Sequence, residues 1–216
     1  MKQQPLSPEQ LQAEEGLSDP VMDRLRAYLA LLEKWQKTIN LVGRSTLADP
    51  WRRHVLDSLQ LADWARSAPE GPWYDLGSGA GFPALVLALV TERAVICVES
   101  DARKAAFLTR VIQETGAPAS VRIARIEALP KPDPGAGLIT ARALAGLPEL
   151  LAYATPLLAP DGHCLFLKGK KAKEELTEAK KDWIFSSTVM NSRSDPDGVI
   201  LQLEDIQRGE LRSDFH

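Results

Sequence analysis

The chain has little from which to build a metal centre: two cysteines and three histidines in 216 residues. Cys97 and Cys164 lie inside apolar runs and read as small core residues, not as a disulfide or metal ligands, so no metal site is expected. Long hydrophobic runs are missing too. Nothing approaches the length of a membrane span, and Met1-Lys2-Gln3-Gln4-Pro5 lacks signal-peptide character, so a cytoplasmic protein with no membrane partner is the expectation. An excess of positive charge is also absent. The 26 Lys and Arg stand against 29 Asp and Glu, a net charge of −3, so any nucleic-acid surface must be a local patch. With 44% hydrophobic and 25% charged residues and no repeat, the sequence predicts one domain over 1–216 with a sizeable core.

Residues 1–66 read as a helical extension. Ser7-Pro8-Glu9 and Ser18-Asp19-Pro20 look like helix starts with proline in the first turn. After the second, Val21, Leu25, Tyr28, Leu29, Leu32 and Trp35 recur at three and four and line one face. Asp49-Pro50 opens another helix, with Trp51, Val55, Leu59 and Ala62 on one side. Trp35, Trp51 and Trp64 thus read as core residues rather than base-stacking platforms. Over 67–216 apolar strands alternate with helices, with strands expected at 72–75, 94–99, 119–123, 137–141, 162–168, 184–191 and 198–206. Asp101 is the expected N-cap of a helix through Phe107, Leu108 and Val111, and Pro130 to Pro134 a rigid loop. The alternation implies an α/β fold with a mostly parallel, doubly wound sheet. The last two strands have no helix between them and are expected as an antiparallel hairpin at one edge.

The stretch Asp75-Leu76-Gly77-Ser78-Gly79-Ala80-Gly81-Phe82-Pro83 joins the first strand to the apolar helix that begins at Ala84. Glycines let the backbone pass close to a ligand, and the helix start presents free N–H groups. Glu99 ends the next strand, where an acid can hold ribose hydroxyls. An adenosine-containing cofactor is implied. Gly79-Ala80-Gly81-Phe82-Pro83-Ala84 also fits the dinucleotide fingerprint, but Asp75 would repel a pyrophosphate and the proline-stiffened turn departs from that pattern. A carboxylate at the strand tip suits the cationic S-adenosylmethionine (AdoMet). The plainer alternative is that Asp75 only shapes the turn.

Further residues join this stretch in a recurring order: Trp35 with Ile39-Asn40-Leu41, Arg53-His54-Val55-Leu56-Asp57-Ser58, Glu99-Ser100 with Lys104, Arg125-Ile126-Glu127, Thr140-Ala141-Arg142-Ala143 and Leu167-Lys168-Gly169. Together with the glycine turn they resemble the bacterial 16S rRNA guanine-N7 methyltransferase family RsmG, also called GidB. Ala84 stands where that family commonly has a fourth glycine, and Val42 where it has a threonine. The resemblance implies a class I AdoMet-dependent methyltransferase with an N-terminal helical extension. It implies methyl transfer to N7 of a guanosine in the 530 loop of 16S rRNA (position 527 in RNA numbering), naked or within the 30S subunit, by an expected monomer. Asp75, Gly77, Ser78, Gly79, Gly81, Phe82 and Glu99 would form the cofactor cradle. Ile126 and Glu127 would lie near the adenine, and Arg142 at the boundary between cofactor and substrate. Asn40, His54, Asp57 and Lys168 would join Arg142 on the catalytic side.

The residues also carry bland readings. His54 and Asp57 are three apart on an expected helix and can be a surface pair; Asn40 can be a helix C-cap. Guanine N7 has no proton to remove, so placement suffices and no base is needed. No Asn/Asp-Pro-Pro-Tyr/Phe motif for exocyclic amines and no exposed cysteine for pyrimidine C5 chemistry stands in the sequence. The product base is cationic, so Arg142 and Lys168 are expected to grip phosphate or O6. Arg44, Arg52 and Arg53 form one basic cluster for RNA, and Lys168, Lys170, Lys171 and Lys173 another. Rival readings are an AdoMet enzyme with another acceptor, an NAD(P)-binding oxidoreductase, and an RNA-binding protein without turnover.

Overall fold

A computed structural model describes residues 4–209. Helix α1 (Pro8–Glu15) begins with a capping box: Ser7 accepts from the Gln10 N–H while the Gln10 side chain returns to the Ser7 N–H. Helix α2 (Asp19–Gln36) buries Met22, Leu25, Tyr28 and Leu32, the face its periodicity announces. A 3₁₀ turn (Arg44–Ala48) and a π-helical turn (Trp51–Leu56) lead into the short α3 (Asp57–Leu59), followed by α4 (Ala62–Ser67). The helix expected after Asp49-Pro50 therefore forms, but wound with a π-turn and broken before Ala62. Such turns inside helices accompany functional sites, and His54 is buried within this one.

The sheet has seven strands in the order β3-β2-β1-β4-β5-β7-β6. These are β1 (Trp73–Leu76), β2 (Val95–Glu99), β3 (Ala119–Ile123), β4 (Ala136–Arg142), β5 (Leu158–Lys168), β6 (Trp183–Asn191) and β7 (Val199–Arg208). Five strands pair in parallel; β7 lies antiparallel to both β5 and β6. β1 and β4 are buried on both faces, which is why they read as continuous apolar runs, while edge strand β3 is largely exposed. β5 starts four residues before the expected 162, across an irregular register opposite Ala136–Leu138.

Helices α5 (Ala84–Thr91), α6 (Ala102–Thr115), α7 (Leu147–Ala154) and α8 (Ala172–Ala179) cover the sheet. Only a 3₁₀ turn, Ile126–Ala128, separates β3 from β4. Asp101 caps α6 as expected, accepting from Arg103 and Lys104 N–H, a device that stabilises a helix by about 1 kcal/mol. The extension packs onto the α5–α6 side: Leu25, Tyr28 and Leu32 share one apolar core with Leu85, Phe107, Leu108 and Val111. Trp35, Trp51 and Trp64 pack against that core, Trp35 edge-on to Phe107. The Arg93 guanidinium binds the carbonyls of Ala65, Ala68, Pro69 and Gly71, tying the end of the extension to the start of β1. Cys97 and Cys164 are buried within β2 and β5.

Candidate functional site

The strand order reverses between β1 and β4, the place where ligands enter doubly wound sheets. A cleft of about 1040 Å³ opens there. Its walls come from the loop after α2, the π-turn, the glycine turn, the ends of β4 and β5, and the β6–β7 connection.

Each part of the glycine turn is tied down. Gly77, Gly79 and Gly81 have φ of 64, 55 and 88°, a region that side chains disfavour. The Ser78 N–H donates to the Val98 carbonyl and its hydroxyl to the Asp75 carbonyl. The Gly79 N–H donates to Glu99 Oε2 at 2.9 Å, while Glu99 Oε1 accepts from the Asp101 N–H at 2.8 Å. Glu99 thus braces the turn from β2 and is buried rather than set in the cleft wall. A Cβ on Gly77 would meet Leu144 at 2.5 Å, and one on Gly81 would meet Leu85 and Tyr28 at 2.7 Å; on Gly79 nothing lies closer than 3.8 Å. Gly79 is the position where the turn has open space over it.

Asp75 does not form the cleft wall. It is buried in β1, opposite Thr140 of β4, whose hydroxyl donates to Oδ1 at 2.6 Å and accepts from the Trp73 indole at 3.0 Å. Its other oxygen, Oδ2, has no hydrogen-bond partner among the described residues. Burial pushes its pKa up to about 6, against the hydrogen bond from Thr140. The turn is shaped by the Asp75 carbonyl, not its carboxylate, so a purely turn-forming role does not describe the side chain. A half-satisfied acid beneath a glycine cradle fits a cationic ligand above it, acting as a buried charge.

Across the cleft Arg142 ends β4, followed by Ala143 in the left-handed region (φ 52°). Its guanidinium donates to Asp57 Oδ2 at 3.1 Å and the Arg53 carbonyl at 3.2 Å through one nitrogen, and meets His54 Nδ1 at 3.2 Å through the other. These engage three of its five N–H groups. Because arginine only donates, His54 Nδ1 accepts; the proton then sits on Nε2, which lies 2.9 Å from Thr46 Oγ1. Burial, with the positive charges of Arg142 and Arg53, moves the His54 pKa down to about 3, so the imidazole is neutral. His54 stacks on Phe82, and Arg142 lies over the same ring, 5.1 Å from its centre. Asp57 also accepts from Ser194 and Gln60. His54 and Asp57 are therefore not a surface pair; both hold Arg142.

The other expected residues divide. Asn40 is exposed and lines the cleft; α2 ends at Gln36 with Lys37 as its C-cap, so Asn40 is not its cap. Lys168 lines the cleft but is nearly buried, binding Glu175 at 2.6 Å and the Ala145 carbonyl at 2.7 Å. Ile126 is half-buried against the apolar core around Ile139 and Phe166, and Glu127 is exposed on the same turn; neither borders the cleft. The basic clusters are also divided. Arg52 binds Asp49 and the Gln4 carbonyl, and Arg53 binds Asp195 at 2.8 Å. Arg44 and Lys104 line the cleft and enter no ion pair among the described residues. Sequence reasoning missed Thr46, Lys104 as a rim residue, and Ser192 and Asp195 of the β6–β7 connection. Only Lys104 had a signal, its place after Glu99.

The profile of the family described as rRNA small subunit methyltransferase G matches residues 21–196. The chain belongs to that family. Ribosomal RNA small subunit methyltransferase G of Paramagnetospirillum magneticum is 47% identical over 96% of this chain and 100% of its own length. The protein of the same name in Rhodospirillum centenum is 50% identical over 90% of this chain and 89% of its own. Among solved structures, a putative O-methyltransferase from Klebsiella pneumoniae superposes with a TM-score of 0.59 at 14% identity, over 92% of this chain and 96% of that one. A SAM-dependent methyltransferase from Aquifex aeolicus gives 0.56 at 16% identity, over 74% and 95%. These likenesses establish the class I methyltransferase fold. Within the family fold, the helical extension supplies one whole side of the cleft, including His54 and Asp57.

Proposed function

We propose that the protein transfers the methyl group of AdoMet to N7 of a guanosine in the 530 loop of 16S rRNA. AdoMet, when bound, supplies an electrophilic methyl on a sulfonium, attacked in line by a lone pair. Gly79 and its neighbours would receive the cofactor against the turn. Asp75, buried beneath the turn, would offset its positive charge through a poorly polarisable medium. Glu99, buried behind the turn, would serve the cofactor indirectly, by fixing the Gly79 N–H.

The observation that carries this reading is that, among the described residues, no base lining the cleft stands free. Both His54 nitrogens are engaged and the ring is neutral; Asp57 serves Arg142, Ser194 and Gln60; Glu175 serves Lys168. Such a site favours an acceptor that needs no deprotonation, and guanine N7 is one. Arg142, Arg53 and Lys168 are each paired with a carboxylate, which offsets the charge these three would otherwise set against a cationic product. Arg142 keeps two N–H groups that can donate to guanine O6, a pairing common in guanine recognition. Arg44 and Lys104 at the rim suit phosphate.

The test is transfer of labelled methyl to small ribosomal subunits and to naked 16S RNA from an unmodified source, mapped by borohydride and aniline cleavage. One cut in the 530 loop is expected. Transfer without a cut at guanosine would overturn N7 as the acceptor, and absence of AdoMet binding would overturn the cofactor.

A further inference from the structure

The glycine turn is tied to β1, β2 and α5, which flank it in the α/β core, and also to the N-terminal extension. Tyr28, in α2 of the extension, is fully buried, and its hydroxyl donates to the carbonyl of Ala80, 52 residues away. That carbonyl lies between Gly79 and Gly81, in the part of the turn that borders the cleft. The Tyr28 ring stacks on Phe82 with centres 5.0 Å apart and planes 12° from parallel, and tilts against Phe107 at 6.4 Å. Its oxygen also occupies the space that a side chain at Gly81 would need. Burial pushes the hydroxyl's pKa well up, so it remains a donor.

We infer that Tyr28 is a positioning residue for the cofactor: by holding the Ala80 carbonyl and the Phe82 ring, the N-terminal extension sets the glycine turn in its binding conformation. The inference rests on the proposed use of AdoMet. Gly79 and Gly81 have wide conformational freedom, and a turn of such residues loses affinity in proportion to the fraction of time it spends in other conformations. The bond to Ala80 restricts the peptide between them from outside the sheet. Phe82 carries the same restraint toward the other half of the site, because His54 and Arg142 rest on its ring. The extension thus completes the cofactor side as well as walling the acceptor side.

The test is isothermal titration of AdoMet and of S-adenosylhomocysteine into the full chain and its Tyr28→Phe variant, with thermal unfolding of each in the absence of ligand. Tyr28→Phe keeps the ring and its stacking and deletes only the hydroxyl. Thr115→Val serves as the control, since Thr115 is also a buried hydroxyl, bonded to the Val111 carbonyl in α6 away from the turn. The expected result is a Kd for both ligands raised about five- to tenfold in Tyr28→Phe, the usual scale of one buried hydrogen bond, and unchanged in Thr115→Val at a similar loss of Tm. A lower Tm with unchanged Kd in Tyr28→Phe would make Tyr28 merely structural and overturn the inference. Failure of the wild-type chain to bind either ligand would instead overturn the cofactor reading.

Discussion

Arg142 at the end of β4 and Asp57 in the N-terminal extension, 85 residues apart in the chain, meet at 3.1 Å. Both side chains are mostly shielded, exposed by 18% and 14%, so removing one partner costs more than at a surface salt bridge. It joins the extension to the sheet at the floor of the cleft.

Arg142→Lys keeps the charge but presents one ammonium where the guanidinium reaches Asp57, His54 and the Arg53 carbonyl together. We expect kcat to fall at least about tenfold with AdoMet affinity little changed. Asp57→Ala should cost about 2–4 kcal/mol of stability, because it leaves a partly buried guanidinium without its counter-charge. Methyl-transfer kinetics and urea unfolding of the two variants check this; an Asp57→Ala protein of wild-type stability would show that the pair is dispensable.

His54 and Asp75 should give opposite slopes of stability against pH. Unfolded His54 takes up a proton near 6.5 and the folded one only near 3, so its contribution is full above 6.5 and is lost as pH falls toward 3, on the order of 4–5 kcal/mol. Asp75 ionises near 3.8 when unfolded and near 6 when folded, so its burial costs on the order of 3 kcal/mol that appears as pH rises through that interval. Between about pH 4 and 6 the two nearly cancel. Asp75→Asn should therefore be more stable than wild type at pH 7 and lose stability steeply with acid, while His54→Gln should gain stability from pH 6 to 4. Urea midpoints across pH 4–7 decide it. The same Asp75→Asn protein should bind AdoMet less tightly despite its greater stability.

Alanine at the three glycines of the turn should separate packing from ligand contact. Gly81→Ala and Gly77→Ala combine a positive φ with close contacts, to Leu85 and Tyr28 in one case and Leu144 in the other, and should unfold well below the wild-type temperature. Gly79→Ala has the φ penalty of about 1–2 kcal/mol but no clash. It should lose AdoMet affinity out of proportion to its loss of Tm, which calorimetry and ligand titration measure together.

Salt dependence should single out the rim. Reversing Arg44 and Lys104 to glutamate should flatten the dependence of RNA binding on salt by about 0.7 to 0.9 per lost phosphate contact in a log–log plot. The folded protein should be little affected, since neither residue is in an ion pair among the described residues. Filter binding at several salt concentrations, beside thermal unfolding, reads both; an unchanged slope would remove these two residues from the RNA surface.

The sequence by itself determined the elements. Trp73–Leu76, Val95–Glu99 and Ala136–Arg142 announced their strands because central parallel strands are apolar on both faces, and Asp101 announced its helix because a cap acts locally. The glycine turn was legible for the same reason: a positive φ is a property of one residue. The tertiary structure alone decided what the polar residues do. Asp75 reads as a strand-tip acid, yet its side chain is sealed against Thr140, because which face a central strand shows to a cleft depends on its neighbours. Lys168, Arg52 and Arg53 read as RNA-binding charges but are held by Glu175, Asp49 and Asp195, partners that chain folding brings to them. Tyr28 reads as one more apolar position on α2; only the packing of α2 against the turn gives its hydroxyl the Ala80 carbonyl. Local order follows from short-range sterics and periodicity, whereas pairing between residues tens of positions apart depends on how the layers pack, which no short stretch of sequence encodes.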